Sequence, residues 1–177
     1  MGRAAPTRDS PPRFNRRARR VTGMNTTGTS GVFAREFEAL GRPVEVGFAG
    51  GRVISVSFPA DVPADAEPDH DLLDRIGAYV RGERDEFADV AVGLTVPTDR
   101  RDVLEALRTV PYGEEVSVSR LTRLAALDAD DPDDLELVRS ALDENPVPLL
   151  LPDHRVQGGP HATPGAVRDA LRRAEGL

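Results

Sequence analysis

The chain has 177 residues, of which 39% are hydrophobic, and its formal net charge is −7. That is enough apolar material for one compact domain or two small ones. Cysteine is absent, which excludes disulfides, thiolate metal sites and thiol nucleophiles. No long apolar run occurs, and no hydrophobic segment follows the Arg-rich start, so the sequence predicts neither a spanning helix nor a secretory leader and favours a cytoplasmic protein.

The charge pattern differs between the start and the rest of the chain. All 23 basic residues are arginine, and residues 1–23 hold seven of them against one acid, which leaves 16 Arg against 29 acids, or −13, for the remainder. A lysine-free, Asp-rich chain fits a halophilic protein, with mutational bias of a GC-rich genome as the alternative. The acidic remainder argues against non-specific nucleic-acid binding by the folded part.

Residues 1–23 contain Pro, Ser and Arg with almost no apolar residues. Such a segment cannot bury a core, so we predict a disordered, Arg-rich tail. Its stretch RFNRRARR carries charge that suits phosphate or anionic lipid. Met24 is an alternative start to Met1.

Residues 24–92 are predicted to form a small N-terminal α/β domain. Three runs with period-two patterning, 32–37, 43–48 and 52–58, are joined by glycine-containing turns and indicate an antiparallel meander. A helix with Leu72, Leu73, Ile76 and Val80 on one face follows and stops at Gly82. The connector from 83 to 97 has the composition of a loop with a short strand around Val90 to Leu94.

Residues 98–177 change to helical periodicity and are predicted to be a second domain. Two consecutive helices in its middle have the order of a helix-turn-helix. The predicted helices are a first from Thr98 to Leu107, a second capped by Ser119 and ending at Leu127, a third from Asp131-Pro132 to before Asn145-Pro146, and a fourth from Thr163-Pro164 with Val167, Leu171 and Ala174 inside. Between the third and fourth helices, PVPLLLPDHRV at 146–156 is predicted to be a buried strand.

Three stretches, VPYGEEVS at 110–117, NPVPLLLPDHRV at 145–156 and AVRDALRRAEG at 166–176, together resemble the O6-alkylguanine-DNA alkyltransferase family. The resemblance covers about residues 32–177. It implies an α/β fold in which a small N-terminal antiparallel sheet plus helix precedes a helical C-terminal domain whose helix-turn-helix enters the DNA minor groove. In that family a damaged guanine is flipped into a pocket, and a cysteine in a PCHRV motif takes the alkyl group after a neighbouring His, held by a Glu, makes it a thiolate.

The resemblance divides the site residues into two sets. His154 matches the activating His, Glu175 the acid that orients it, and Asn145 the hinge between the recognition helix and the active-site segment. Asp153 occupies the position of the family's acceptor cysteine, so the nucleophile is missing. We therefore predict that the protein is not an enzyme and uses no cofactor. The positions assigned to DNA binding are Val118, where the family has a Tyr, Glu136, where it has an Arg finger, Arg139, one helical turn further, and Arg155. His161, in the short loop QGGPHATPG, falls near a second family Tyr.

Several functions stay open at this point. The favoured one is a catalytically inactive, alkyltransferase-like protein of DNA repair that recognises O6-alkylguanine in double-stranded DNA, with other repair proteins as partners and no membrane contact. The alternative is a degenerate scaffold for protein contacts without DNA binding. An alkyl transfer to Asp153 is disfavoured because a carboxylate is a poor nucleophile towards alkyl carbon. A metal site at Asp153, His154 and Glu175, or at Asp69-His70-Asp71, is disfavoured too, and a structural His154–Glu175 pair is preferred.

Overall fold

The computed structural model describes residues 29–177, so the predictions for the Arg-rich tail and for Met24 lie outside the described residues. The described part begins with a three-stranded antiparallel sheet in the order β1-β2-β3. Its strands are β1 (Gly31–Phe37), β2 (Arg42–Ala49) and β3 (Arg52–Ser57). A 3-10 turn, Glu38–Leu40, joins β1 to β2 and ends at Gly41 with φ 64°. The predicted meander is confirmed.

Helix α1 (Asp71–Val80) packs against β1. The His70 side chain caps it, because its Nδ1 accepts a hydrogen bond of 3.0 Å from the Leu72 amide. The buried face holds Leu72, Leu73 and Ile76 as predicted, but its C-terminal member is Tyr79, and Val80 is only half-buried. This one-residue difference places a hydroxyl group inside the protein.

The connector between α1 and the next helix has no extended strand where residues 90–94 predicted one. A single parallel bridge forms instead, in which the Val53 amide donates to the Ala91 carbonyl (2.9 Å) and the Gly93 amide donates to the Val53 carbonyl (2.8 Å). The connector is tied down further by Arg75, which pairs with Asp85 at 2.8 Å. It therefore covers the outer edge of β3.

Four α-helices lie in the second half: α2 (Thr98–Leu107), α3 (Val118–Leu124), α4 (Pro132–Asp143) and α5 (Gly165–Glu175). Asp131 caps α4 and Pro132 is its first residue, as predicted. The predicted cap of α3 is wrong: Ser117, not Ser119, accepts from the Arg120 amide, so the helix starts earlier and ends at Leu124. Two-residue strands β4 (Val116–Ser117) and β5 (Val156–Gln157) pair in parallel.

The buried residues of the sheet, α1 and the later helices form one continuous hydrophobic cluster. Helices α2, α3 and α4 pack on one another, and α5 packs against α1 and against the 3-10 turn after β1. The predicted α/β fold, a small antiparallel sheet with a helix followed by a helical part, is confirmed. The domain boundary near residues 92–98 stays a prediction. Among the described residues, no helix is long and apolar enough to cross a bilayer.

Candidate functional site

The segment 145–156 is a compact turn, so the prediction of a buried strand is wrong. The Asn145 side chain spans the turn: its amide nitrogen donates to the Leu151 carbonyl (2.9 Å), and its oxygen accepts from the Val147 amide (3.1 Å). Leu149 adopts a positive φ of 78°. The prolines in the segment have no N–H to donate to a strand ladder, and the Asn145 side chain bonds to the backbone of the turn instead. The chain then enters a 3-10 turn, Asp153–Arg155.

All three side chains of this 3-10 turn are buried, with Asp153 and His154 both 0% exposed. Buried polar groups need partners, because an unmade hydrogen bond in the interior costs the full desolvation of the group. The partners come from different parts of the chain. His154 and Arg155 bond to the end of α5, whereas Asp153 bonds to the loop before α5.

His154 forms a three-part cluster with Glu175 and Tyr79. The His154 Nε2 lies 2.8 Å from Glu175 Oε1 and 3.1 Å from the Tyr79 hydroxyl, and that hydroxyl also donates to Glu175 Oε1. A carboxylate only accepts, so Nε2 is the protonated nitrogen facing it. Among the described residues, His154 Nδ1 is a buried side-chain atom without a hydrogen-bond partner.

Arg155 holds the same carboxylate from the other side. Its Nε donates to Glu175 Oε2 (3.0 Å) and its Nη2 donates to Oε1 (2.9 Å), a two-point pairing that fits the geometry of both groups. Its remaining nitrogen donates to the Val110 carbonyl. The Gly113 amide adds a further bond of 2.9 Å to Glu175 Oε2. Glu175 is therefore the centre of the cluster and has partners on both oxygens.

These contacts fix the charge of Glu175. Burial by itself would raise the pKa of Glu175, but hydrogen bonds from His154 and Arg155 outweigh burial and hold the pKa at about 2. Burial would likewise lower the pKa of Arg155, and the hydrogen bond to Glu175 outweighs it and raises the pKa. Burial, followed by the neighbouring carboxylate, raises the pKa of Tyr79. The cluster is an ionised Glu–Arg pair with a neutral phenol.

Asp153 does not join this cluster. Its Oδ1 accepts from the Thr163 hydroxyl (2.6 Å) and its Oδ2 accepts from the Thr163 amide (2.9 Å). Thr163 is itself only 2% exposed. The residue before Thr163 is held as well, because the Ala162 amide donates to the Leu142 carbonyl (3.2 Å) at the end of α4. The loop before α5 is thereby fastened over the position that corresponds by resemblance to the acceptor cysteine.

The same loop covers Val118. A Cβ added at Gly159 would lie 2.9 Å from Val118 Cγ2 and 3.2 Å from Leu142 Cδ1, so glycine permits the close approach. His161 continues the loop: its Nε2 donates to the Val156 carbonyl (2.8 Å). The loop thus rests on α3 and α4 and leaves Val118 only 5% exposed.

The residues assigned to DNA contact separate into two groups. Glu136 and Arg139 are exposed on α4, whereas Val118 and Arg155 are buried. Since Arg155 is bonded on all sides to Glu175 and Val110, the structure does not place it on a surface that DNA could meet. For the exposed pair, the assignment stays a prediction.

The metal hypotheses find no geometric support. Asp153 bonds to Thr163 and His154 bonds to Glu175, so the three side chains do not converge on one point. In the second candidate, His70 uses Nδ1 to cap α1. Across residues 29–177, no group of three or more His, Asp or Glu side chains is arranged to hold an ion.

Two members of the site, Tyr79 and Thr163, were not found from the sequence. Tyr79 sits three residues after Ile76 on the inner face of α1, and that spacing indicates burial but not that its hydroxyl meets residues 154 and 175. Thr163 lies in a glycine-containing loop that is shorter than the corresponding segment of the family it resembles. No local sequence pattern predicts its hydrogen bond to Asp153. Contacts between residues far apart in sequence require the fold.

Residues 99–176 match the family model described as 6-O-methylguanine DNA methyltransferase, DNA binding domain. Two curated relatives are each named methylated-DNA–protein-cysteine methyltransferase. The one from Mycolicibacterium paratuberculosis is 35% identical over 86 residues, which is 49% of each chain. The one from Methanopyrus kandleri is 32% identical over 87 residues, covering 49% of this chain and 62% of the relative. The chain thus spans only about half to three fifths of the length of these relatives.

Solved structures extend the likeness to the N-terminal part. The O6-methylguanine methyltransferase of Mycobacterium tuberculosis is 25% identical, with a TM-score of 0.64 over 82% of this chain and 93% of that chain. A structure of the same organism's protein in complex with DNA has a TM-score of 0.65 at 23% identity, covering 81% of this chain and 91% of that chain. The second likeness shows the fold alone.

Proposed function

Residues 99–176 match the 6-O-methylguanine DNA methyltransferase family model, and on this basis we propose that the chain is a non-transferring relative that serves DNA repair. It binds double-stranded DNA and prefers O6-alkylguanine, without taking the alkyl group onto itself. Binding and chemistry are separate properties of such a protein, and different observations support them.

The absence of transfer is supported by Asp153. A carboxylate stands where the resemblance places the acceptor thiol, and both of its oxygens accept hydrogen bonds from Thr163. A carboxylate is already a weak nucleophile towards an alkyl carbon, and these two bonds lower the availability of its lone pairs further. This is the observation that carries the proposal.

DNA binding is supported by the match of residues 99–176 to a domain described as DNA binding. The related Mycobacterium tuberculosis protein of similar fold has been solved in complex with DNA. The helix pair α3 and α4 packs together in the order of a helix-turn-helix. We transfer the mode of binding from these relatives to this chain.

The test is a binding titration with two duplexes that differ only in one O6-methylguanine, repeated from low to molar salt. We expect saturable binding that favours the damaged duplex and weakens as salt rises, because phosphate contacts release counterions. Intact mass measured after the incubation should show no added methyl group. Failure to bind either duplex at micromolar protein contradicts the proposal, and a methyl group that maps to residues 146–156 contradicts its non-transferring part.

A second function is favoured by one observation, the exposed acids of α4. Asp133, Glu136 and Asp143 face solvent with Arg139 as the helix's own basic residue, and such a surface repels phosphate at groove distances. The second candidate is therefore a scaffold for protein contacts without DNA binding. It predicts a defined complex that is lost in a Glu136→Arg, Asp133→Ala variant, and recovery of the same complex with that variant counts against it.

A further inference from the structure

Helix α3 exposes arginine on one face. Arg120 and Arg123 are exposed, and Leu124, on the same side at the next position, is 46% exposed. The opposite side is buried through Val118 and Leu121. Residues three and four apart share a helix face, so the exposed side is a continuous surface that we call the α3 arginine face, made of Arg120, Arg123 and Leu124.

The two arginines of this face have no acidic partner within the described residues, and the exposed Arg52, Arg81, Arg139 and Arg173 have none either, whereas other arginines of the chain are paired. Arg75 is held by Asp85 and Asp89, and Arg100 pairs with Glu144 at the end of α4. Among the ion pairs of residues 29–177, none involves Arg120 or Arg123. In a chain this acidic, two neighbouring free arginines on one face are available to an anion from outside.

The acids that follow α3 are largely engaged in shaping the backbone. Asp128 accepts from the Asp130 amide (2.9 Å), Asp131 from the Asp133 amide (2.9 Å), and Asp134 from the Asp128 amide (2.8 Å). These carboxylates close the connection between α3 and α4 and start α4. They do not turn back onto the α3 arginine face, so that face keeps its positive charge.

We propose that α3, rather than α4, supplies the phosphate contacts of this protein, with Arg120 and Arg123 each neutralising one phosphate of a DNA strand. The inference rests on the proposed function and names the surface that performs it. In a helix-turn-helix the first helix crosses the sugar–phosphate backbone while the second lies in the groove. Contacts of this kind position the protein and carry no sequence information, so the acidic α4 contributes shape and α3 contributes attraction.

The test compares the salt dependence of duplex binding in matched variants. Each phosphate contact contributes about 0.9 to the slope of log K against log salt, so Arg120→Gln with Arg123→Gln should reduce the slope by about 1.8. Affinity should fall by the same factor for damaged and undamaged duplexes. Arg52→Gln with Arg81→Gln, which removes two exposed arginines from the N-terminal part, is the control and should keep the wild-type slope.

A conservative pair, Arg120→Lys with Arg123→Lys, separates charge from folding. It should retain the wild-type slope, because Lys also neutralises phosphate. If the wild type binds DNA and the Arg120→Gln, Arg123→Gln variant keeps the same slope of log K against log salt, the inference is overturned but the proposed function stands. An equal loss in the control pair also overturns it, since the effect is then one of net charge. A wild type that binds no duplex ends the proposed function and this inference with it.

Discussion

His154 and Asp153 are neighbours in one buried turn, but their surroundings differ. His154 belongs to a cluster in which Glu175, Arg155 and Tyr79 bond to one another from three parts of the chain. Within residues 29–177, Asp153 has its side-chain bonds to Thr163 alone. Replacing one member of a buried cluster of charges leaves another charge in it without a partner. A carboxylate that bonds to a single neighbour can be replaced together with that neighbour. The His154 cluster is therefore harder to change by single substitutions than the Asp153–Thr163 contact.

The largest loss of folding stability is expected for Glu175→Gln. The variant leaves the Arg155 guanidinium buried without its carboxylate, and breaking a buried pair from one side costs about 3–5 kcal/mol. Urea unfolding followed by circular dichroism measures the loss. The control is Glu115→Gln, which breaks the exposed pair with Arg172 and should change little. Equal losses in the two variants would contradict the central role of Glu175.

Acid unfolding tests the same group without changing its shape. The pKa of Glu175 is held at about 2, below its ordinary value of 4.5. A depressed carboxyl pKa contributes stability that is present above the ordinary value and is lost as pH falls towards the folded value. Stability of the wild type should therefore fall between pH 4.5 and about 2, and Glu175→Gln should flatten that part of the profile. An identical acid profile in the two proteins would contradict the assignment.

The surroundings of Asp153 are tested by Thr163→Val, which removes the hydroxyl that donates to Asp153 and keeps the hydrogen bond from the Thr163 backbone amide. Hydrogen bonds to charged groups contribute about 1.5–3 kcal/mol, so we expect a loss near 2 kcal/mol, smaller than for Glu175→Gln. Thr122→Val is the matched control, because its buried hydroxyl donates to the Val118 carbonyl within α3. A loss no greater than that of the control would mean that Thr163 does not fasten the loop.

The smallest effect is expected for Tyr79→Phe. It removes one hydroxyl from a carboxylate that keeps its bonds to His154, Arg155 and Gly113, at a cost of about 1 kcal/mol. Tyr112→Phe, whose half-buried hydroxyl donates to the Ala174 carbonyl at 2.8 Å, should cost less. Thermal unfolding of the two variants side by side makes the measurement, and a reversed order would show that the Tyr79 hydroxyl adds nothing to the cluster.

Much of the fold was accessible from the sequence because it is encoded locally. Period-two runs with glycine turns identified the meander, and Asp131 followed by Pro132 located the start of α4. The segment after Asn145 was predicted wrongly because apolar residues between prolines fit a strand and a turn equally well, and the choice is made by the Asn145 side chain.

The site itself was accessible only in part. The resemblance indicated that His154 and Glu175 lie together, which their 2.8 Å separation agrees with. Tyr79 and Thr163 were missed because each bond to the site spans a distance in sequence that no periodicity reports. The burial of Val118 was missed for a related reason, since it depends on the approach of Gly159 from a later loop.

DNA binding by this protein is tested most directly by titrating the wild-type chain with O6-methylguanine and undamaged duplexes across salt concentrations. We expect saturable binding that favours the damaged duplex and weakens as salt rises, with the protein mass unchanged afterwards. The absence of saturable binding to either duplex at micromolar protein, at every salt concentration, would contradict it.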